Sequence, residues 1–198
     1  MQLLLCGANF CRQAGANGCK TLIALGVTGG IAAYKSAQLC SDLVKAGFEV
    51  QVIMTENAVR FVTPLTFRTL SRNPVITSLW ELPQWQPEHV ALAQSAELFI
   101  TAPATVNFIA KYANGIADDA LSTFAATFNG KAAIAPAMNP NMWRHWTCQE
   151  NIAKLASHGV RIIGPAAGRV ACGDDGIGRM SEVAEILSVI KEMLEADE

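Results

Sequence analysis

The chain has 198 residues, enough for one domain with a substantial core, and 51% of them are hydrophobic while only 16% are charged. Its formal net charge is −2 and no run of Lys or Arg occurs, so the basic footprint of a nucleic-acid or anionic-membrane binder is missing. The shortage of charge instead implies surface covered by subunits or by a cofactor, and apolar runs far below a membrane span exclude an integral membrane protein as the expectation.

Residues 1–19 hold three of the six cysteines and little other pattern, and are read as an N-terminal extension preceding a domain over residues 20–198. Met1 to Cys6 lacks the positive start of a signal peptide. Cysteines at 6, 11, 19, 40, 148 and 172 form no CxxC pair and no zinc-spaced cluster with His. That scatter argues for a reducing, cytoplasmic setting and for no metal site. Residues 21–27 are a continuous apolar run suited to a strand buried on both faces. Thr28-Gly29-Gly30 follows, then a helical pattern from Ile31 to Lys45 stopped by Gly47, and a second strand over 48–54, which together make one βαβ unit.

A Gly-rich turn opening a helix offers free N–H groups, no Cβ and a favourable dipole, which suits a phosphate. Gly26-Val27-Thr28-Gly29-Gly30 is neither GxGxxG nor a P-loop, and Met54-Thr55-Glu56-Asn57 supplies no acidic ribose ligand at the end of the second strand. A mononucleotide therefore fits better than a dinucleotide. Lys35 could be read as a phosphate ligand, but a residue this far into the helix is more often a solvated surface group.

Residues 57–71 are helical in pattern, with a fresh start at Pro64, and 73–88 form a loop carrying Trp80, Pro83, Trp85 and Pro87. Exposed Trp suggests that this loop folds over a site or a neighbouring subunit, or tucks into its own core. His89 opens a short helix over 89–94, where the dipole disfavours the charged imidazole and leaves it able to accept a proton. A lone His of this kind can equally be structural. A strand over 97–102 ends in Ala102-Pro103-Ala104-Thr105-Val106-Asn107 and leads a helix over 105–113; Asp118 and Asp119 open another, to about 127.

The same grammar recurs in Ala133-Ile134-Ala135-Pro136-Ala137-Met138-Asn139-Pro140. A buried strand empties into an Asn N-cap with Pro at the first helical position, and a helix runs over 141–157. Ligands of open α/β sheets sit at such carboxyl ends, and two Ala-Pro-Ala-polar turns side by side would make a smooth crevice for a flat ring system. His145 and His158 read as surface or packing residues. A last strand over 159–163 leads into residues 164–180, where five Gly and a Pro in seventeen residues predict a mobile loop without regular structure. Cys172 in its middle, near Arg169 and Arg179, has the position of a thiol that donates a proton or does chemistry. A final amphipathic helix runs from about 181 to 196.

From about residue 20 to 190 the chain resembles the flavoprotein cysteine decarboxylases, most closely the branch that acts on phosphopantothenoylcysteine. Four motifs carry the likeness: Gly26 to Lys35; His89-Val90-Ala91-Leu92; Pro136-Ala137-Met138-Asn139 with Met142-Trp143; and Ala171-Cys172-Gly173-Asp174 running to Gly178-Arg179-Met180. The resemblance implies a Rossmann-like or flavodoxin-like three-layer α/β sandwich with a mainly parallel sheet. It implies FMN against Gly29, Gly30, Ile31, Thr55, Pro103, Ala104, Thr105, Val106 and Ala137. His89 would be the base, Asn139 would bind the substrate's carboxyl or amide, and Arg169, Ala171 and Met180 would belong to a clamp closing on the substrate.

The implied reaction takes 4'-phosphopantothenoylcysteine to 4'-phosphopantetheine in coenzyme A biosynthesis. The flavin oxidises the thiol, CO2 leaves the resulting thioaldehyde, and the enethiol is reduced again with a proton from Cys172. Homotrimers or homododecamers are the family habit. Many bacterial members are fused to a synthetase, so an ending at Glu198 implies a free-standing decarboxylase with a separate synthetase, or a shortened chain. A peptidyl-cysteine decarboxylase and a non-catalytic flavin-binding regulatory subunit are the alternatives, disfavoured by Cys172 beside Asn139 and by the presence of His89. A flavin prenyltransferase and a plain nucleotide-binding module rank below them.

Overall fold

Alternation along the strands decides the architecture. In β1 (Leu22–Val27) the side chains of Leu22 and Ala24 enter one hydrophobic core while those of Ile23, Leu25 and Val27 enter another. A strand buried on both faces belongs in the middle of a parallel sheet layered between helices. The computed structural model describes residues 20–80, 88–169, 173 and 175–196, with the backbone alone for 88–91 and 169. Residues 1–19, the Trp85 part of the loop, Ala171 and Cys172 lie outside the described residues.

Five parallel strands lie in the order β2-β1-β3-β4-β5. Besides β1 these are β2 (Glu49–Met54), β3 (Leu98–Ala104), β4 (Lys131–Pro136) and β5 (Arg161–Ile162). One face carries α1 (Ala33–Lys45), α3 (Pro64–Ser71) and α9 (Val183–Glu195). The other carries α4 (Glu88–Ser95), α5 (Val106–Asn114), α6 (Ala120–Thr127) and α8 (Trp146–Ser157). Single turns α2 (Glu56–Val59) and α7 (Pro140–Arg144) lie at the carboxyl ends of β2 and β4. The α/β parallel sandwich expected from the sequence is thus the fold, in the flavodoxin-like order. Phe99 centres the second core, meeting Phe124, Phe128, Tyr112 and Phe108 edge-on at 5.1 to 6.5 Å. Among the described residues no helix is long and apolar enough to cross a membrane.

Several boundaries depart from expectation, each for a local reason. β3 does not stop before Pro103 but continues to Ala104, because the ladder slips between Thr101 and Ala104 and so needs no N–H from the proline. The helix expected over 141–157 is two. His145 has extended backbone and ends α7, and its ring accepts a hydrogen bond from the Thr147 N–H, starting α8 afresh. Residues 164–180 are not irregular throughout: β6 (Ala166–Arg169) and β7 (Asp175–Arg179) pair antiparallel. The glycines that suggested a loop serve close packing instead. A Cβ on Gly176 would lie 2.9 Å from Pro140 of α7, and one on Gly178 would collide with the Met138 carbonyl. In α1 the buried stripe also takes in Ser36, whose hydroxyl donates to the Ala102 carbonyl at 2.5 Å. Cys40 on the same stripe has its thiol pushed up to about 12 by burial, which keeps it protonated and unreactive.

Candidate active site

In the order 2-1-3-4-5 the chain leaves β1 toward one face and β3 toward the other, so their carboxyl ends diverge around a crevice. Thr28 holds its two sides together. Its hydroxyl, 1% exposed, donates to the Pro103 carbonyl at 2.7 Å and accepts from the Thr105 N–H at 3.1 Å. A Thr28→Val variant strands one buried carbonyl and one part-buried amide, at up to about 1–3 kcal/mol for each group left unsatisfied. The expected outcome is a lower urea midpoint with an unchanged slope, read by far-UV circular dichroism.

The Gly-rich turn is pressed against α2. A Cβ on Gly29 would strike Asn57, whose carbonyl carbon would lie only 2.8 Å away. Thr55 caps α2 by accepting from the Ala58 N–H at 3.3 Å. The N–H groups of Gly29 and Ile31 have no hydrogen-bond partner among the described residues. On the far side, the Ala137 N–H donates to the Ala104 carbonyl at 3.0 Å and the Met138 N–H to the Gly178 carbonyl at 2.9 Å. The first bond ties the β4 turn to β3, and the second ties it to the β6–β7 hairpin. The Asn139 side-chain Oδ1 accepts from the Asn141 N–H at 2.8 Å, as the cap that the Asn-Pro pair predicted.

Together these turns line a cleft of about 1250 Å³. Gly29, Gly30, Ile31 and Thr55 line it from the β1 and β2 ends; Thr105, Val106, Ala137, Asn139 and Met180 complete the set that the sequence brought forward. Pro103 and Ala104 are buried within β3 and do not line it. His89 is in the first turn of α4, with its side chain outside the described residues, as is that of Arg169 at the end of β6. Trp80 is 90% exposed in the single chain.

The charged lining is what the sequence reading missed. Lys35 is no solvated surface group: its side chain is 15% exposed and pairs with Glu182 at 3.0 Å, and Arg179 also pairs with Glu182. The hydrogen bonds from Lys35, and then from Arg179, hold the Glu182 carboxyl below its usual range. Lys111 reaches Asp118 at 2.6 Å and Asp119 at 2.9 Å. Burial alone would lower the Lys111 pKa, but these hydrogen bonds raise it above the ordinary value. One signal was available for Lys35, since it lies on the first turn of a helix that opens at the Gly-rich loop. Glu182 had none beyond its place two residues after Met180. Among the described residues no group of three or more His, Cys, Asp or Glu is placed to hold a metal ion.

A family model described as Flavoprotein matches residues 13–195. The chain is 44% identical over 168 residues to the coenzyme A biosynthesis bifunctional protein CoaBC of Borreliella burgdorferi, a match covering 85% of this chain and 43% of that protein. The chain thus spans less than half the length of this curated relative. Among solved structures, a PPC decarboxylase Cys-to-Ser mutant complexed with pantothenoylaminoethenethiol superposes with a TM-score of 0.80 at 26% identity, covering 90% of this chain and 100% of that one. The FMN-dependent cysteine decarboxylase SpaF gives 0.76 at 27% identity, covering 88% and 95%.

Proposed function

The chain belongs to the flavoprotein family, and from that premise we propose that it is an FMN-dependent decarboxylase of 4'-phosphopantothenoylcysteine, forming 4'-phosphopantetheine in coenzyme A biosynthesis. One observation carries the reading. The Gly29–Ile31 turn, the Ala137–Asn139 turn and Met180, far apart in sequence, line a single cleft at the carboxyl ends of a parallel sheet.

The residues present fit FMN. The turn lacks a Cβ at Gly29 and Gly30, offers two N–H groups without partners among the described residues at Gly29 and Ile31, and faces apolar walls at Val106 and Ala137. Bound FMN supplies a two-electron oxidation of the cysteinyl thiol, which gives the departing carboxylate an electron sink, and returns the electrons afterwards. Everything else falls to side chains of this chain. His89 takes the thiol proton as general base. Asn139, held by its cap to α7, orients the substrate's carboxyl or amide, and Met180 covers it from the hairpin. Cys172 delivers the proton to carbon in the final reduction. The PPC decarboxylase described above was solved as a Cys-to-Ser mutant with an enethiol, the species that a missing proton donor would leave. Arg169 and Ala171 complete the clamp, and Pro103 and Ala104 support the cofactor from within β3.

A homotrimeric or dodecameric, cytoplasmic enzyme follows the family habit, and so does a synthetase as the partner activity. The test is a mass spectrum of the products after anaerobic incubation of the flavin-loaded protein with phosphopantothenoylcysteine, with the flavin spectrum alongside. Phosphopantetheine with the flavin oxidised at the end is the expected result. Untouched substrate beside a bound flavin would overturn it in favour of a peptidyl-cysteine substrate or a regulatory subunit.

A further inference from the structure

We propose that Lys35 and Arg179 form the seat for the phosphate monoester of the substrate, and that the Glu182 carboxylate occupies this seat until the phosphate displaces it. The inference rests on the decarboxylase reading above for the identity of the ligand, and on the structure for the seat itself.

Three side chains from three elements meet at the cleft: Lys35 from α1, Arg179 from β7 and Glu182 from the turn entering α9. Glu182 stands at the N-cap of α9, yet its side chain makes no cap hydrogen bond. Both of its oxygens are taken elsewhere, Oε2 by the Lys35 ammonium and Oε1 by the Arg179 guanidinium. An anion bridging two cations through two oxygens is the geometry in which a phosphate would be held, and the guanidinium fork matches it.

The exposures set the direction of exchange. The Lys35 side chain is 15% exposed, and an ammonium so covered needs a counter-ion. The Glu182 side chain is 59% exposed and free to turn into water without a large desolvation change. A phosphomonoester brings close to two negative charges at neutral pH against one for the carboxylate, so it outcompetes Glu182 for the same pair of cations. Arg179 lies between Gly178, whose carbonyl accepts from Met138, and Met180, which lines the cleft. The seat therefore adjoins the substrate side of the cleft. Glu182 is a positioning residue: it keeps both cations aimed at the cleft and leaves when the ligand arrives.

The experiment compares wild type, Lys35→Gln, Arg179→Gln and Glu182→Gln, all flavin-loaded, on phosphopantothenoylcysteine and on pantothenoylcysteine lacking the phosphate. The preference for the phosphorylated substrate in kcat/KM should fall about tenfold in Lys35→Gln and Arg179→Gln and rise severalfold in Glu182→Gln. Calorimetric titration with inorganic phosphate should show about fivefold tighter binding in Glu182→Gln and none in the Arg179→Gln, Glu182→Gln double variant, and both effects should fade at high salt. A preference identical in all four proteins would overturn the proposal. So would loss of FMN from Arg179→Gln with the preference unchanged, since the seat would then belong to the cofactor's phosphate. If wild type turns over neither substrate, the decarboxylase reading has failed, and the phosphate titration still decides the seat: unchanged affinity in Glu182→Gln refutes it.

Discussion

The His89→Asn variant retains its yellow flavin and loses decarboxylation, with kcat falling by about 10²–10⁴-fold, the usual contribution of a positioned proton acceptor. His89 is the second residue of α4, and in the proposed reaction its imidazole takes the proton of the thiol. Asn keeps a comparable polar shape but cannot be protonated. The helix itself is anchored elsewhere, through Leu92 and through Ala96 just past its end, both in the core, so the substitution should leave α4 and the cleft in place. Rapid-mixing absorbance of the flavin band gives the measurement: no bleaching on addition of substrate is expected, and bleaching at the wild-type rate would remove His89 from the oxidative half of the reaction.

Cys172→Ser separates the two halves. Carbon dioxide release should persist through one turnover, while phosphopantetheine formation falls by at least about 10²-fold, because a serine hydroxyl is a far weaker acid than a thiol. The product then accumulates as the enethiol, lacking the hydrogens of the final reduction, and the flavin remains reduced under anaerobic conditions. Mass spectrometry of the product together with the flavin spectrum decides the point. Wild-type yields of phosphopantetheine from this variant would mean that another group, or water, supplies the proton.

What could be read from the residues and what could not divides along physical lines. The strands were legible because burial on both faces forces continuous apolar runs such as Leu22–Val27, and Asn139-Pro140 announced a cap because its chemistry is local. His145 is the surface residue expected, but the helix break at it was missed because a helix start by a His ring leaves no strong mark in sequence. The β6–β7 hairpin was missed because its glycines serve contacts with Met138 and Pro140, which are more than thirty residues away. Lys35 was taken for a surface residue for the same reason, since its partner Glu182 lies 147 positions along the chain. Local chemistry is written in order; pairwise closeness is not.

That hairpin also has a meaning for diversification. Arg169 stands opposite Asp175 in the ladder, and the strands below them are joined main chain to main chain to the β4 turn through Gly178. Arg169 and Asp175, which flank the intervening segment, are thus held at a set spacing by bonds that involve no side chain. Such a base is a graft acceptor: residues 170–174 are the place at which to exchange sequence, since the bonds that fix the two flanking strands do not depend on the side chains between them.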